Sequence, residues 1–428
     1  MKKIFILHSG LHKTGTTSIQ LNCRRYADLL FDAGIYYPKF SPSNWVNHSV
    51  PLSIMFMDNP RTTSHTVRKE YSDDEAVCFA ANALKTYLMN EISVTDAQKI
   101  LFSGEDLSIF SIKELRKLAD FIKEIGGVET EVVVFVRHPI NFILSNAQEL
   151  IKAGLTTLKA ALHYGNLQKI KLKINKLQSV FGAQNVKVVS FDDAIKKTGD
   201  ISKYFFDMLG VALPETGFQK SNEAMPLEKI LVLSACVRLG LDVIPILNKN
   251  LSNNGTRLAP GRVFGEQAWE LCKEDIEFVL SQFNVKFEKQ INYIEPGLDR
   301  RQLLVNLYRA KEMIEIEKVN GFKISSVFSS IIDDLESFSP ALAANISAMA
   351  YNCFPGETFK RYTDYYVKHG LLMGYYLDNI FIIHGEEIEA VDFDADAYLQ
   401  QNPDVLNAKV DPFRHYYAYG RFEKRKSI

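Results

Sequence analysis

A short run of glycine, hydroxyl and basic residues near the start of the chain has the composition of an anion-binding loop. It follows the apolar residues 4–7 and reads His8-Ser9-Gly10-Leu11-His12-Lys13-Thr14-Gly15-Thr16-Thr17-Ser18. Glycines let the backbone approach an anion, and the first N–H groups of a following helix direct the positive end of its dipole at the anion. The pattern predicts a phosphate-binding turn between a strand and a helix. An ordinary glycine-rich turn is the alternative.

The position of the lysine separates this loop from the Walker A motif, which needs Lys-Ser or Lys-Thr directly after its second glycine. Here Gly10 and Gly15 have the right separation, but Thr16 stands in the lysine position and Lys13 lies inside the loop. A lysine there reaches a bound anion from the loop itself. The predicted ligands of the anion are His12, Lys13, Thr14, Gly15, Thr16, Thr17 and Ser18.

A second group of residues suited to a phosphate follows the apolar run 131–136, which predicts a buried parallel strand. The run ends in Arg137-His138-Pro139, and Pro139 fits the first turn of the helix predicted over 140–153. Ser145 lies about one and a half turns into that helix. Arg137 and Ser145 are therefore predicted to bind one phosphate, with a surface ion pair of Arg137 as the alternative.

A general base is predicted where another strand ends, at Glu105 and Asp106, because doubly wound sheets place catalytic groups there. Glu105 is the first candidate, and Asp106 is alternatively the cap of the next turn. His48, in a predicted loop over 39–51, is the second candidate; a histidine with a structural hydrogen bond is the alternative. No metal is expected, because the loop and Lys13 supply positive charge.

These residues require an α/β framework to position them. Apolar runs alternate with helical patterns, which predicts a P-loop-like parallel sheet of four or five strands flanked by helices, followed by a mostly helical C-terminal region. One helix is predicted over 16–31, and Ser111 with Glu114 predicts a capping box. The predicted domains are an α/β core at 1–225, a helical segment that completes or covers it at 226–349, and a helical module at 350–428.

The composition excludes several classes of protein. The chain has 428 residues with 46% hydrophobic and 24% charged residues, and its net charge of −1 gives no field that attracts nucleic acid. Five cysteines, far apart and without CxxC spacing, predict free thiols in a reducing compartment. No run approaches the ~20 apolar residues of a transmembrane helix. We therefore expect a cytoplasmic protein.

Taken together, the two anion motifs resemble those of the sulfotransferase superfamily, particularly bacterial members that act on carbohydrates. The Lys13-to-Ser18 stretch resembles the 5′-phosphosulfate loop of enzymes that use 3′-phosphoadenosine 5′-phosphosulfate (PAPS), although a proline is common where this chain has His12. Arg137, Pro139 and Ser145 resemble the 3′-phosphate motif. The resemblance covers residues 1–225.

The resemblance implies a function and partners. The donor would be PAPS, the nucleotide product adenosine 3′,5′-bisphosphate, and the acceptor a hydroxyl or amine of a carbohydrate or glycoconjugate. A lipid-linked glycan as acceptor would bring the protein to a membrane surface. The resemblance also suggests a basic loop over the nucleotide at Lys220-Ser221-Asn222-Glu223, for which a solvated loop is the alternative.

The last residues resemble a short helical module found in bacterial glycan-handling proteins, and His415 in it is predicted to pack rather than bind metal. The resemblance rests on Tyr398-Leu399, Asn402-Pro403-Asp404-Val405, His415-Tyr416, Gly420, Glu423 and Arg425.

Two alternatives to sulfuryl transfer stay open. One is a P-loop-type nucleotide-dependent kinase, and the other is a non-catalytic protein that binds a nucleotide or glycan. The sequence leaves open the identity of the acceptor and the choice between Glu105 and His48 as base.

Overall fold

The chain forms two compact units, each built from segments that are distant in sequence. The first comprises Met1–Phe142, Leu167–Glu223 and Leu271–Lys289, and the second comprises Ile143–Asn166, Ala224–Glu270 and Gln290–Ile428. The predicted domains at 1–225, 226–349 and 350–428 stay a prediction. The computed structural model describes residues 2–40, 45–163, 167–214, 225–243, 258–259, 262–289, 323–336, 339–353, 357–368, 380–383, 386–389, 395–408, 412–415, 423 and 425.

A parallel sheet of five strands forms the centre of the first unit and confirms the predicted fold class. The spatial order is β2-β3-β1-β4-β5, and every neighbouring pair is parallel. The strands are β1 Lys3–His8, β2 Ile35–Tyr36, β3 Lys99–Ser103, β4 Gly127–Val136 and β5 Val186–Ser190.

The order of the strands determines where a ligand can bind. After β1 the chain builds β2 and β3 on one side, then crosses to β4 on the other side, so the strand order reverses at β1. Open α/β sheets bind ligands outside the carboxyl ends of the strands at such a point. The last five residues of β4 are all buried, as expected for a strand covered by helices on both faces. The carboxyl ends of β1, β3 and β4 therefore define the candidate site.

Helices connect the strands of the sheet, and the helix predicted over 140–153 is present at Pro139–Lys152. The capping box of Ser111 and Glu114 is present at the start of α7. The helices before β5 are α1 Thr16–Arg25, α2 Ala27–Asp32, α3 Ser49–Phe56, α4 Pro60–Thr63, α5 His65–Glu70, α6 Asp74–Val94, α7 Ile112–Glu124, α8 Pro139–Lys152, α9 Leu158–Ala161 and α10 Ile170–Phe181. After β5 come α11 Phe191–Thr198 and α12 Ile201–Met208.

Two local predictions are corrected, and one helix was not predicted. The single helix predicted over 16–31 is two helices that meet at Tyr26, where the backbone leaves the helical region. The loop predicted over 39–51 already enters α3 at Ser49. The helix that was not predicted is α11, which begins directly after β5, where the Ser190 side chain caps it by accepting a hydrogen bond from the Asp193 N–H.

The late segment 271–289 belongs to the first unit because it satisfies groups near the sheet. Asp275 accepts hydrogen bonds from the N–H groups of Ile170 at 2.9 Å and Lys171 at 2.8 Å, at the start of α10. The Glu288 carbonyl accepts one from His138 Nε2 at 3.0 Å. A carboxylate on the first N–H groups of a helix satisfies donors that have no partner inside the helix.

The second unit is mostly helical over its described residues. Asp334 is fully buried and accepts hydrogen bonds from Ser234 and Arg238, while Ser234 Oγ accepts one from the Leu158 N–H at 2.6 Å. The described elements that follow α12 in the chain are α13 Leu227–Arg238, α14 Arg262–Leu271, α15 Lys273–Phe283, α16 Ile324–Glu336, α17 Pro340–Cys353, α18 Glu357–Lys368, β6 Ile380–Ile383, β7 Glu386–Glu389, α19 Ala395–Gln401, α20 Pro403–Asn407 and α21 Pro412–His415. Of these, α15 lies in the first unit with segment 271–289.

The C-terminal module contains its own polar contacts. Tyr398 is fully buried and its hydroxyl lies 3.0 Å from His415 Nδ1, which agrees with the packing role predicted for His415. Arg425 donates to Asn402 at 3.0 Å and to Asp404 at 2.9 Å. The antiparallel pair β6–β7, which was not predicted, lies within the segment 350–428 that was predicted to be helical.

Over the residues described here, no helix combines the length and apolar character needed to cross a membrane.

Candidate functional site

The predicted anion-binding loop lies between β1 and α1 and is closed by its own residues. Lys13 and Gly15 both adopt the left-handed conformation, with φ of 66° and 76°. Thr14 is buried, and its hydroxyl donates to the Leu11 carbonyl at 2.5 Å across the turn. A lysine with positive φ is uncommon, because its Cβ crowds the backbone. The fold therefore holds Lys13 in a backbone conformation that an unconstrained lysine rarely adopts.

Two glycines let the loop fold this tightly. A Cβ built on Gly10 would lie 2.1 Å from Thr16 Oγ1, and one on Gly15 would lie 2.7 Å from Ile201 Cγ2. Gly15 precedes α1 directly and has no side chain that could cap the helix. The loop backbone and the start of α1 are therefore packed as close as glycine allows, which fits a cradle that approaches an anion.

Buried polar atoms around the loop test whether it fits an anion. Ser9 Oγ, Thr16 Oγ1 and His8 Nε2 are buried and find no hydrogen-bond partner among the described residues. Leaving a buried donor without a partner costs about 1–3 kcal/mol, so a native structure rarely keeps several together. Two hydroxyl donors beside a helix start match the acceptor oxygens of a phosphate. The residues present fit an anionic ligand.

Arg137, at the end of β4, joins the second predicted motif to the loop. Its Nη1 donates to the Lys13 carbonyl at 2.9 Å, and its guanidinium lies over the Phe191 ring with 5.1 Å to the centroid. The structure thus brings Arg137 and Lys13 together, 124 positions apart in the chain. Ser145 belongs to the second unit, so its pairing with Arg137 on one phosphate stays a prediction.

The carboxylates at the end of β3 lie beside the loop histidine. His12 Nδ1 is 3.6 Å from Glu105 Oε2, and His12 Nε2 is 3.9 Å from Asp106 Oδ1. Burial alone would raise the pKa of Glu105, but adjacent His12 and then the charge on Lys13 outweigh it and lower that pKa. Burial raises the pKa of Asp106, with Glu105 adding to the rise and His12 offsetting part of it. The surroundings therefore favour the ionised form of Glu105 more than that of Asp106.

A buried polar network that the sequence analysis missed fixes the end of β3. Gln20, on α1, donates to the Ser103 carbonyl at 2.7 Å and to Asn47 Oδ1 at 3.0 Å. Ser103 Oγ lies 2.8 Å from His8 Nδ1. Burial lowers the pKa of His8 to about 3, so its ring is neutral. One signal was available: Gln20 is a polar residue beside the apolar Ile19 on the buried face of α1.

His48 lies in a closed aromatic environment. It is fully buried and stacks on Tyr37 with 4.1 Å between ring centroids. Nε2 lies 3.0 Å from the Pro38 carbonyl, and Nδ1 accepts from the Ser103 N–H at 3.3 Å. Burial lowers the pKa of His48 to about 3. Both ring nitrogens already hold partners, which agrees with the structural alternative rather than with a base that reaches an acceptor.

The remaining predicted loop residues are near the same turn. Thr17 is exposed, whereas Ser18 is buried on α1. The predicted covering loop Lys220-Ser221-Asn222-Glu223 lies outside the described residues. Within the ranges the structure describes, no group of three or more His, Cys, Asp and Glu residues has the arrangement of a metal site.

Two solved structures resemble this chain. One is a sulfotransferase from Alicyclobacillus acidocaldarius, 15% identical, with a TM-score of 0.30 over 58% of this chain and 97% of that chain. The other is the sulfotransferase domain of the Synechococcus PCC 7002 olefin synthase, 15% identical, with a TM-score of 0.27 over 50% and 75%. No protein-family model matches the chain, and no curated protein matches it significantly. Scores this low carry no argument about activity, so the function is inferred from the residues themselves.

Proposed function

We propose that this protein is a sulfotransferase that moves a sulfuryl group from PAPS to a hydroxyl or amine of a carbohydrate or glycoconjugate. The observation that carries the proposal is the hydrogen bond from Arg137 to the Lys13 carbonyl. It joins a loop suited to a 5′-phosphosulfate to an arginine suited to a 3′-phosphate. When bound, PAPS supplies the sulfuryl group and leaves as adenosine 3′,5′-bisphosphate.

The loop holds the phosphate end of the nucleotide in this proposal. The N–H groups at the start of α1 and the buried hydroxyls of Ser9 and Thr16 donate to phosphate oxygens. Lys13 stabilises the negative charge that grows on the leaving oxygen, as preorganised donors do at an oxyanion. Thr14 keeps the turn closed through its bond to Leu11. Arg137 binds the 3′-phosphate, and the part that the sequence assigns to Ser145 stays a prediction.

Glu105 is the proposed base. It lies at the carboxyl end of β3, which neighbours the strand that leads into the loop. Its lowered pKa keeps the carboxylate ionised at neutral pH, so it can take the proton of an acceptor hydroxyl or amine. His12 beside it supports the ionised form. We do not propose His48 as base, because both of its nitrogens are engaged inside the fold.

Nucleotide selectivity tests this proposal without knowledge of the acceptor. Adenosine 3′,5′-bisphosphate is expected to raise the melting temperature, and adenosine 5′-monophosphate at equal concentration to raise it less. A ligand at a hundred times its Kd stabilises by about 2.7 kcal/mol. Arg137→Gln should abolish the difference between the two nucleotides. Arg116→Gln, an exposed arginine on α7, is the matched control and should preserve it.

The competing kinase hypothesis has one observation in its favour. Glu105 and Asp106 end the strand next to the loop, and kinases use carboxylates to hold Mg²⁺ at their phosphates. ATP with Mg²⁺ is therefore included in the same melting experiment. Stabilisation by MgATP that exceeds that by adenosine 3′,5′-bisphosphate would overturn the sulfotransferase proposal and support a kinase.

A further inference from the structure

One flank of α10 carries lysines at helical spacing. Lys173 and Lys176 lie at positions i and i+3 of the helix, so they share one side of it, and Lys169 is the N-cap residue directly before the helix. Lys171 lies on another side and pairs with Glu274 at 2.6 Å. We call the three lysines Lys169, Lys173 and Lys176 the α10 basic strip.

Three hydrogen bonds show that the α10 basic strip runs beside the candidate site. Gln168, just before it, donates to the His12 carbonyl in the anion-binding loop at 3.3 Å. At its other end, Lys176 Nζ donates to the carbonyls of Ser108 at 3.2 Å and Phe110 at 2.6 Å. Ser108 ends the short 3₁₀ turn that begins at Glu105. The strip therefore extends from the loop to the turn of the proposed base.

Lys173, in the middle of the strip, is a partly buried cation that lacks a direct counter-charge. No hydrogen bond or ion pair of its ammonium occurs with any described residue, and Asp275 acts on it only as a more distant charge. Burial first, and then the charge of Lys176, lowers the pKa of Lys173 to about 8. A desolvated ammonium beside two other lysines is costly unless an anion binds there.

Two further features support a ligand at the loop end of the strip. Lys169 adopts the left-handed conformation with φ of 52°, and residues held in such conformations cluster at functional sites. Gln168 is 4% exposed, yet its Oε1 finds no hydrogen-bond partner in the described chain. A carbonyl oxygen of this kind accepts from a hydroxyl. A ligand with both negative charge and hydroxyl groups would satisfy Gln168 and the lysines together.

We propose that the α10 basic strip binds the anionic part of a saccharide acceptor, with ammonium groups on its carboxylate or phosphate groups and Gln168 on a hydroxyl. The proposal rests on the proposed function, since it assigns the acceptor class of the same site. It predicts that neutral saccharides are poor acceptors, because they leave Lys173 without a counter-charge.

Binding without donor tests the proposal directly. The probes are tetragalacturonate, maltotetraose and maltotetraose monophosphate, titrated by calorimetry into the full chain. We expect at least one anionic probe to bind at least tenfold more tightly than maltotetraose, with an affinity that falls as NaCl rises. Lys173→Gln should weaken that binding about tenfold. The matched control Lys171→Gln, on the same helix but paired with Glu274, should change it less than twofold.

Proton uptake gives a second readout. An anion beside Lys173 raises the pKa of its ammonium, so binding near pH 8 should take up protons, measurable in buffers of different ionisation enthalpy. The other groups that face the strip are Asp275 from α15, and Glu114 of α7, which acts on Lys176. Uptake should disappear in Lys173→Gln. If that variant does not fold, Lys169→Gln, which is exposed, replaces it.

The outcomes separate this inference from the proposed function. Equal binding of neutral and anionic probes, or equal binding by the Lys173→Gln and Lys171→Gln variants, overturns the inference. Lys173-dependent binding of an anionic probe supports it and identifies the anion. If that probe binds but no radiolabelled sulfate passes to it from PAPS, and no nucleotide with a 3′-phosphate binds, the proposed function fails while the saccharide site stands.

Discussion

Substituting Gly10 by alanine would test how tightly the anion-binding loop is packed. The new Cβ would lie 2.1 Å from Thr16 Oγ1 and 3.2 Å from Thr16 Cβ and Cγ2. Since Cβ contacts do not fall below 3.0 Å, the two residues must separate by at least 3.0 − 2.1 = 0.9 Å. Thr16 is 2% exposed, so its side chain cannot turn into solvent. We expect Gly10→Ala to lower the free energy of unfolding by about 1–3 kcal/mol.

The same displacement should also affect catalysis. A shift of about 1 Å in a catalytic group can reduce the rate roughly a hundredfold. We therefore expect Gly10→Ala to lower kcat by about that factor and to weaken binding of adenosine 3′,5′-bisphosphate. Urea denaturation gives the stability, and calorimetry gives the Kd of the nucleotide.

A double substitution provides the control. Thr16→Ala removes the oxygen that meets the new Cβ, so Gly10→Ala with Thr16→Ala should recover part of the lost stability, a coupling of about 0.5–3 kcal/mol. Turnover should stay low, because the Thr16 hydroxyl is also lost. If Gly10→Ala alone retains the stability and turnover of the parent, the loop is not packed as described and the reasoning is refuted.

Three further predictions concern the charged groups and histidines. Lys13→Ala should lower kcat about a hundredfold with a smaller change in PAPS affinity, measured by radiolabelled sulfate transfer; a parent-like rate would remove Lys13 from the mechanism. Glu105→Gln should lower kcat about 10²–10⁴-fold while adenosine 3′,5′-bisphosphate still binds, and an unchanged rate would exclude Glu105 as base. His8 and His48 are held neutral with pKa values of about 3, so the unfolded chain binds more protons between pH 6.5 and 3. The free energy of unfolding should therefore fall as the pH is lowered through that window, by up to about 1.4 kcal/mol per pH unit for each histidine. In urea denaturation, His48→Gln should remove one of the two contributions.

The parts of the fold that local patterns determine were predictable. The five strands follow apolar runs, and the α7 capping box follows from Ser111 and Glu114 three positions apart. The sequence also contains the signals from which the short helix α11 could have been predicted. Ser190 precedes it as a cap, and Asp192 and Asp193 lie in its first turn, as the helix dipole favours.

Features that depend on contacts between distant residues could not be predicted from the sequence. The burial of His48 depends on Tyr37 and on the Ser103 N–H of another strand, so its residue type alone does not distinguish a base from a packed ring. The lysines of α10 look like a solvated helix face in the sequence. Two contacts show that these lysines lie beside the candidate site. Gln168 donates a hydrogen bond to the loop, and Lys176 donates one to the turn that begins at Glu105.

The segments of the two units alternate along the sequence, which has a consequence for synthesis and expression. Leu271–Lys289, the last segment of the first unit, is synthesised only after parts of the second unit. Until Asp275 emerges from the ribosome, the starting N–H groups of α10 lack the carboxylate that satisfies them. Such late, non-local contacts slow folding and prolong the exposure of apolar strands such as β4. A fragment ended at residue 225 would never acquire these contacts, so an expression fragment of the first unit should extend at least to residue 289.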